Sequence, residues 1–320
     1  MLYFQWRASR GAEEKFHGAV IGHDGREDAR SFTETAQVGL RLEALAEITA
    51  VKREKQAAIV HDWQNKWALE GSCGPRNAGM GYWDELKRHY NALAREGIAV
   101  EFVDQNADLT GYGLVVVPML YLLTDAFAKK LCAFAQNGGT VIVTYWSGVV
   151  DESDLCRLGD TPYGLTELLG LRRTEIDGMY DGETRRCMPA AGCTLPAAQA
   201  STLCEVAALD EENPAEPLSL YDEYYFAGHP AAAVHRYGKG RAYYLASRFD
   251  EAFYRAFYHD AAKEIGLSPA WPEALPEGIL AVRRGSFVFV QNCTEQPVTV
   301  GNTVLDRYRT AVWKGKDRIF

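Results

Sequence analysis

Apolar and polar positions along the chain change period several times. Leu2-Tyr3-Phe4-Gln5-Trp6 is an aromatic-rich run that predicts a strand. A polar, glycine-containing stretch follows to Arg30. Ser31 can then N-cap a helix, with Glu34 completing a capping box and Phe32, Val38, Leu42, Leu45 and Ile48 at helical spacing. The first fifty or so residues thus predict one strand, one long loop and one helix, a βα unit that cannot bury its own faces.

From Ala57 to Gly266 strands and helices alternate. Strands are predicted at Ala57 to His61, Ile98 to Val103, Gly113 to Pro118 and Thr140 to Tyr145. The third is continuous in Leu and Val, as in a parallel sheet buried on both faces. Amphipathic helices are predicted over Trp83 to Arg95 and from Thr124 or Asp125 to Ala135. This alternation predicts an open α/β sheet of the doubly wound kind. Cys187 to Pro217, rich in Ala, Pro and Glu, predicts irregular chain or short edge strands. Ala231 to Tyr237 and Arg241 to Ala246 form a predicted hairpin around Gly238-Lys239-Gly240, and Asp250 to Ile265 a last helix. Beyond Pro269, Pro272 and Pro276, which mark a linker, short strands at Leu280 to Arg283, Phe287 to Val290, Val298 to Val300 and Thr310 to Val312 predict a small antiparallel β domain that leans on its neighbour.

Composition narrows the function classes. The chain has 320 residues, 47% hydrophobic and 24% charged, which excludes wholesale disorder and predicts about two domains. With 34 basic against 43 acidic residues, the net charge of -9 repels phosphate backbones and anionic membranes, so neither nucleic acid nor membrane is an expected partner. The longest apolar run, Leu114 to Leu123, is interrupted by Pro118 and too short to span a bilayer. The seven cysteines contain no C-x-x-C pair, which suits free thiols in a reducing compartment and no metal site. The start of the chain lacks the apolar core of a secretory signal. A cytoplasmic protein without a cofactor is expected.

Candidate chemistry is sparse. No G-x-S-x-G elbow, phosphate-binding loop or G-x-G-x-x-G is present. Asp151-Glu152-Ser153-Asp154 after the Thr140 strand reads either as catalytic or cation-binding acids, or as a solvated loop that caps the next helix. Trp6, Arg7, Glu14, Phe16 and His17 fall within twelve residues. An indole, a carboxylate and an imidazole together suit a sugar, whose CH faces pack on aromatic rings and whose hydroxyls take planar hydrogen-bonding groups. The same set also reads as a surface loop whose Phe and Trp belong to a core.

The run from Leu2 to Gly11, followed by Glu14-Lys15-Phe16-His17, resembles the last barrel strand and following loop of glycoside hydrolase family 42, the β-galactosidases. Asp62-Trp63, Trp67-Ala68-Leu69-Glu70, Leu114 to Pro118 with Leu120-Tyr121-Leu122, and Gly138-Gly139-Thr140 through Tyr145 resemble that family's middle domain. Ser147 to Glu152 and Tyr237 to Gly240 through Tyr244 do so too. The resemblance implies one βα unit of a truncated (β/α)8 barrel at residues 1–54. It implies an amidotransferase-like (flavodoxin-like) α/β trimerisation domain at 55–268, and a small β domain at 277–320. It further implies a homotrimer acting on galactosides, with Glu14 and His17 holding galactose hydroxyls and Phe16 and Trp6 supporting them. The family is retaining and takes its two catalytic carboxylates from earlier barrel strands, so no residue here is assigned a catalytic role. A non-catalytic assembly or binding module is the alternative.

Overall fold

The structure is a computed structural model describing residues 2–52, 54–76 and 78–320. The chain divides into two compact units, Met1–Arg53 and Glu54–Phe320.

In the first unit the expected strand over Leu2 to Trp6 does not form a ladder. Residues 5–8 pair with 18–21 through Val20 N–H to Gln5 O (2.9 Å), Ile21 N–H to Trp6 O (2.8 Å) and one parallel bridge, Arg7 to Ile21. Two lone segments lack the further strands that make a sheet stable. Helix α1 spans Arg30–Ala44, two residues earlier than the capping box requires. Ser31 Oγ therefore donates to Val20 O (3.1 Å) and Glu34 pairs with Arg30 (2.7 Å), and neither caps the helix. Helix α1 buries no side chain, and Leu40 and Leu42 lie exposed. Val20 is the one buried residue among the described residues of this unit.

The second unit is built on a sheet of eleven strands. Strands β1 (Ala57–Val60), β2 (Val100–Val103), β3 (Leu114–Val117) and β4 (Thr140–Thr144) are parallel, in the order β2-β1-β3-β4. Three helices connect them: α2 (Trp63–Gly71), α3 (Tyr82–Arg95) and α4 (Asp125–Gln136). Asp62 caps α2, accepting from the N–H groups of Gln64 and Asn65, and Thr124 caps α4 through Phe127 N–H. The short helix α5 (Thr166–Leu169) ends at Gly170 and leads to β5 (Leu171–Gly178). Then come β6 (Arg185–Pro189), β7 (Ala198–Leu209), β8 (Glu216–Tyr221), β9 (Pro230–Tyr237), β10 (Gly240–Leu245) and β11 (Ser247–Phe249). Helix α6 (Glu251–Ile265) runs from the Asp250 cap to Gly266.

The sheet is mixed: the expected open α/β arrangement forms its parallel half, and an antiparallel half extends it. Strand β10 joins the parallel half beside β4, and from β9 through β8, β6, β7 and β11 every pairing is antiparallel, with β5 also on β7. The segment from Cys187 to Pro217 is not irregular. It contains β7, the longest strand, which pairs with β5, β6 and β11. Its Ala, Cys and Val residues are small enough to be buried on both faces, and low intrinsic β-propensity is overridden by that packing.

The core joins Ile59, Val115 to Val117 and Val141 to Val143 to Leu86, Leu93, Phe127 and Leu131. Tyr221, Phe226, Phe253, Tyr254, Phe257 and Tyr258 all belong to it, whereas Tyr224 and Tyr225 are exposed.

The C-terminal strands are β12 (Ile279–Arg284), β13 (Phe287–Asn292), β14 (Val298–Val300), β15 (Thr303–Leu305), β16 (Thr310–Lys314) and β17 (Asp317–Arg318). They form a four-stranded antiparallel sheet and a separate β14–β15 hairpin. The proline-rich connection is pinned to the rest of the unit. Ser268 N–H donates to Gln56 Oε1 (2.8 Å), Ala270 N–H to Gly97 O (2.8 Å) and Arg283 to Pro269 O (2.5 Å). Trp271 packs on Trp313, ring centroids 5.0 Å apart.

Candidate functional site

A 3-10 turn, Glu13–Phe16, follows Ala12, whose φ is +62°. It closes with His17 N–H donating to Glu14 O (3.0 Å). The turn delivers His17 to a shallow groove lined also by Tyr3, Phe4, Gln5, Ser31 and Thr35. The His17 ring stands edge-on to Phe4, with centroids 6.0 Å apart. Glu14 is exposed, one turn away on the same loop.

The other two candidates do not converge there. Trp6 packs against Phe32 of α1 (6.4 Å), and Phe16 is 85% exposed with the Lys15 ammonium 5.4 Å from its ring centre. Of the candidates His17 alone lines the groove, and its other lining residues, Gln5 among them, were not singled out. Gln5 Oε1 accepts from Ser9 Oγ (3.2 Å), and its buried Nε2 has no partner. The signal was a lone amide inside an otherwise apolar run.

In the second unit two carboxylates are fully buried. Glu85 on α3 accepts from Arg248 Nε (2.7 Å), Tyr254 OH (2.9 Å) and Tyr145 OH (3.1 Å), with His89 Nε2 at 3.3 Å. Burial alone would raise its pKa; His89 and Arg248 outweigh it and lower the value to about 2. Glu205 on β7 accepts from Arg173 Nη1 (2.7 Å), Tyr244 OH and Trp146 N–H (3.0 Å). Burial pushes the hydroxyls of Tyr145, Tyr244 and Tyr254 well above the ordinary tyrosine range. Sealed from solvent and fully partnered, Glu85 ties α3 to β11 and α6, and Glu205 ties β7 to β5 and β10.

Trp146, at φ +59°, lies two residues past the end of β4. A strained residue after a parallel strand is where an elbow enzyme holds its Ser or Cys. Here the residue is an indole, stacked on Tyr121 at 5.8 Å and capped by the Arg173 guanidinium. The acidic run at Asp151 caps no helix: Asp151 Oδ1 takes the N–H groups of Ser153 and Leu155, closing a turn, because the next helix begins only at Thr166. Among the described residues no three His, Cys, Asp or Glu come together as a metal site, all seven cysteines are unpaired, and no helix is long and apolar enough to cross a membrane.

The β-galactosidase trimerisation domain family matches residues 55–268, and the glycoside hydrolase 42 β-galactosidase family matches residues 1–45. The β-galactosidase BglY of Alicyclobacillus acidocaldarius is 44% identical over 301 residues, covering 92% of this chain and 43% of that protein. The β-galactosidase GalA of Bacillus licheniformis is 38% identical, covering 96% and 45%. The solved structure of a cold-adapted β-galactosidase from Rahnella sp. R3 superposes with a TM-score of 0.91 at 39% identity, covering 97% of this chain and 48% of that one. That of the β-galactosidase from Bacillus circulans sp. alkalophilus gives 0.87 at 31%, covering 98% and 48%. The chain thus spans less than half the length of these relatives. It belongs to glycoside hydrolase family 42, the β-galactosidases, and corresponds to their C-terminal part.

Proposed function

We propose that this chain is the C-terminal portion of a retaining β-galactosidase that releases terminal non-reducing β-D-galactose. Its amidotransferase-like region assembles three subunits, and its first unit contributes one wall of the galactose site. The observation that carries the reading is the likeness to β-galactosidases along nearly the whole chain, at up to 44% identity among the relatives above. His17 in its groove and Glu14 on the adjoining turn supply the imidazole and carboxylate that sugar hydroxyls require. Retaining hydrolysis needs an acid/base and a nucleophilic carboxylate about 5 Å apart, supplied from several strand ends of a barrel. In this reading both come from barrel strands outside these residues.

Assay of nitrophenyl β-galactoside hydrolysis tests it. The 320-residue chain is expected to be inactive, and a chain carrying a complete barrel ahead of Leu2 active. In that longer chain Glu14→Ala and His17→Ala should each weaken transition-state binding by about 1–3 kcal/mol, the scale of a lost hydrogen bond to a charged or buried group. Turnover by the 320-residue chain that is lost on changing one of its own acids would overturn the proposal.

A further inference from the structure

Helices α3 and α6 pack against each other, and the groove between them encloses about 160 Å³. Arg88, Ala92 and Arg95 fall at i, i+4 and i+7 on α3 and so share one of its faces. Tyr254 and Arg255 meet them from α6. Ala92 and Tyr254 are buried and make the floor. The Tyr254 hydroxyl donates to Glu85 (2.9 Å) and is thereby spent within the chain. Three guanidiniums and the Asn91 amide make the walls.

We infer that this groove binds a phosphate-sized oxyanion, held between Arg88 on α3 and Arg255 on α6. Glu251 is the one carboxylate among the described residues lining the groove, and it pairs with Arg95. Arg88 and Arg255 are exposed and pair with no carboxylate among the described residues. Three arginines against one glutamate leave the groove two positive charges in excess, within a chain whose net charge is -9. Such a local excess attracts anions to one place on an otherwise repelling surface. Each guanidinium is a planar fork that grips two oxygens of a phosphoryl group, and forks from two helices can grip one group from both sides. The Asn91 amide can donate to a further oxygen.

A carboxylate is the competing ligand. It carries one charge and one plane of oxygens, so it satisfies a single fork, whereas an excess of two charges and two unpaired forks suits a dianion. The cavity that continues along α6 does not share this character. It too is lined by Arg95 and Arg255, but Glu96, Glu273 and Glu277 line it as well, and its His259 is held by Glu96 (3.0 Å). Its acids offset its bases, so the anion belongs in the first groove. Free phosphate and the phosphoryl group of a monoester present the same oxygens there. Bound to the folded chain alone, either fastens α3 to α6 directly above the Tyr254–Glu85 contact and stabilises the fold by mass action.

The test titrates the full chain with inorganic phosphate and, separately, with glycerol phosphate, at low chloride in a calorimeter. Arg88→Gln and Arg255→Gln should each weaken binding about tenfold or more, and Arg255→Lys should weaken it less than Arg255→Gln. Arg172→Gln, the same loss of charge at an exposed position of β5 outside the groove, is the control and should change nothing. Arginine modification by phenylglyoxal on the unaltered chain gives a reading independent of how the variants fold. Mapped by mass spectrometry, adducts at Arg88 and Arg255 should fall several-fold in the presence of the anion, and those at Arg172 should not. Tighter binding of glycerol phosphate makes a monoester the source, and tighter binding of phosphate makes it the free ion. Affinity that survives both glutamine variants, affinity lost equally in Arg172→Gln, or failure of both anions to protect Arg88 and Arg255 overturns the inference. None of these outcomes bears on hydrolysis or on subunit assembly.

Discussion

Arg248 and Glu85 are 163 residues apart in sequence and 2.7 Å apart at Nε and Oε2. The pair joins β11 to α3, and the other arm of the guanidinium donates to Met80 O (2.7 Å) and Gly81 O (3.2 Å). Removing one partner leaves the other charge buried and unpaired. Arg248→Met should therefore lower unfolding free energy by about 3–5 kcal/mol, and adding Glu85→Gln should recover part of that loss. Urea unfolding midpoints of the two variants against the parent measure both effects.

The same carboxylate makes stability depend on acid. Folded, Glu85 holds its pKa at about 2, below its ordinary value of 4.5. A depressed carboxylate stabilises the fold at pH above the unfolded value and loses that contribution as pH falls toward the folded value. Unfolding free energy should thus decline from about pH 5 toward about pH 2, by a few kcal/mol from this group. In Glu85→Gln the decline should be shallower, as thermal melts along a pH series would report.

Gly240 closes the β9–β10 hairpin against the end of α4. A Cβ there would meet Ala135 O at 2.5 Å and Gly139 O nearer still, and both are backbone atoms. Gly240→Ala should cost about 2–4 kcal/mol, in the range of overpacked cores. Gly192, at φ +82° with nothing within 4 Å, should tolerate alanine for about 1–2 kcal/mol of backbone strain. Calorimetric melts of the two variants should rank in that order.

Amide exchange should separate the two units. Residues 2–52 bury only Val20 among those described, whereas β3 and β4 are buried along their whole length. Amides of α1 should exchange much faster than those of β3 or β4, because local opening there exposes almost no apolar surface. Equal protection in mass-spectrometric exchange would contradict this.

Sequence pattern reveals elements whose neighbours lie within the chain. The runs Leu114 to Val117 and Thr140 to Thr144 are uninterrupted β-formers and appear as strands, and Gly266 ends α6 where a helix stop belongs. Helix α2 was illegible, because Trp63 and Trp67 face outward while Asn65 is buried, so no apolar stripe marks it. Strand β7 was hidden by its small residues and by Glu205, a charge whose partner Arg173 arrives from another strand. At the candidate site the loop motif singled out Glu14 and His17, but only coordinates separate His17, in the groove, from Phe16 and Trp6, which lie away from it.

The proline-marked connection has a mechanical consequence. With Ser268, Ala270 and Arg283 anchored on both sides of it, the segment is a strap and not a swivel. The terminal β module cannot reorient independently of the large sheet. In solution the two therefore share a single rotational correlation time, and a dye attached at Tyr308 would report the tumbling of the whole second unit.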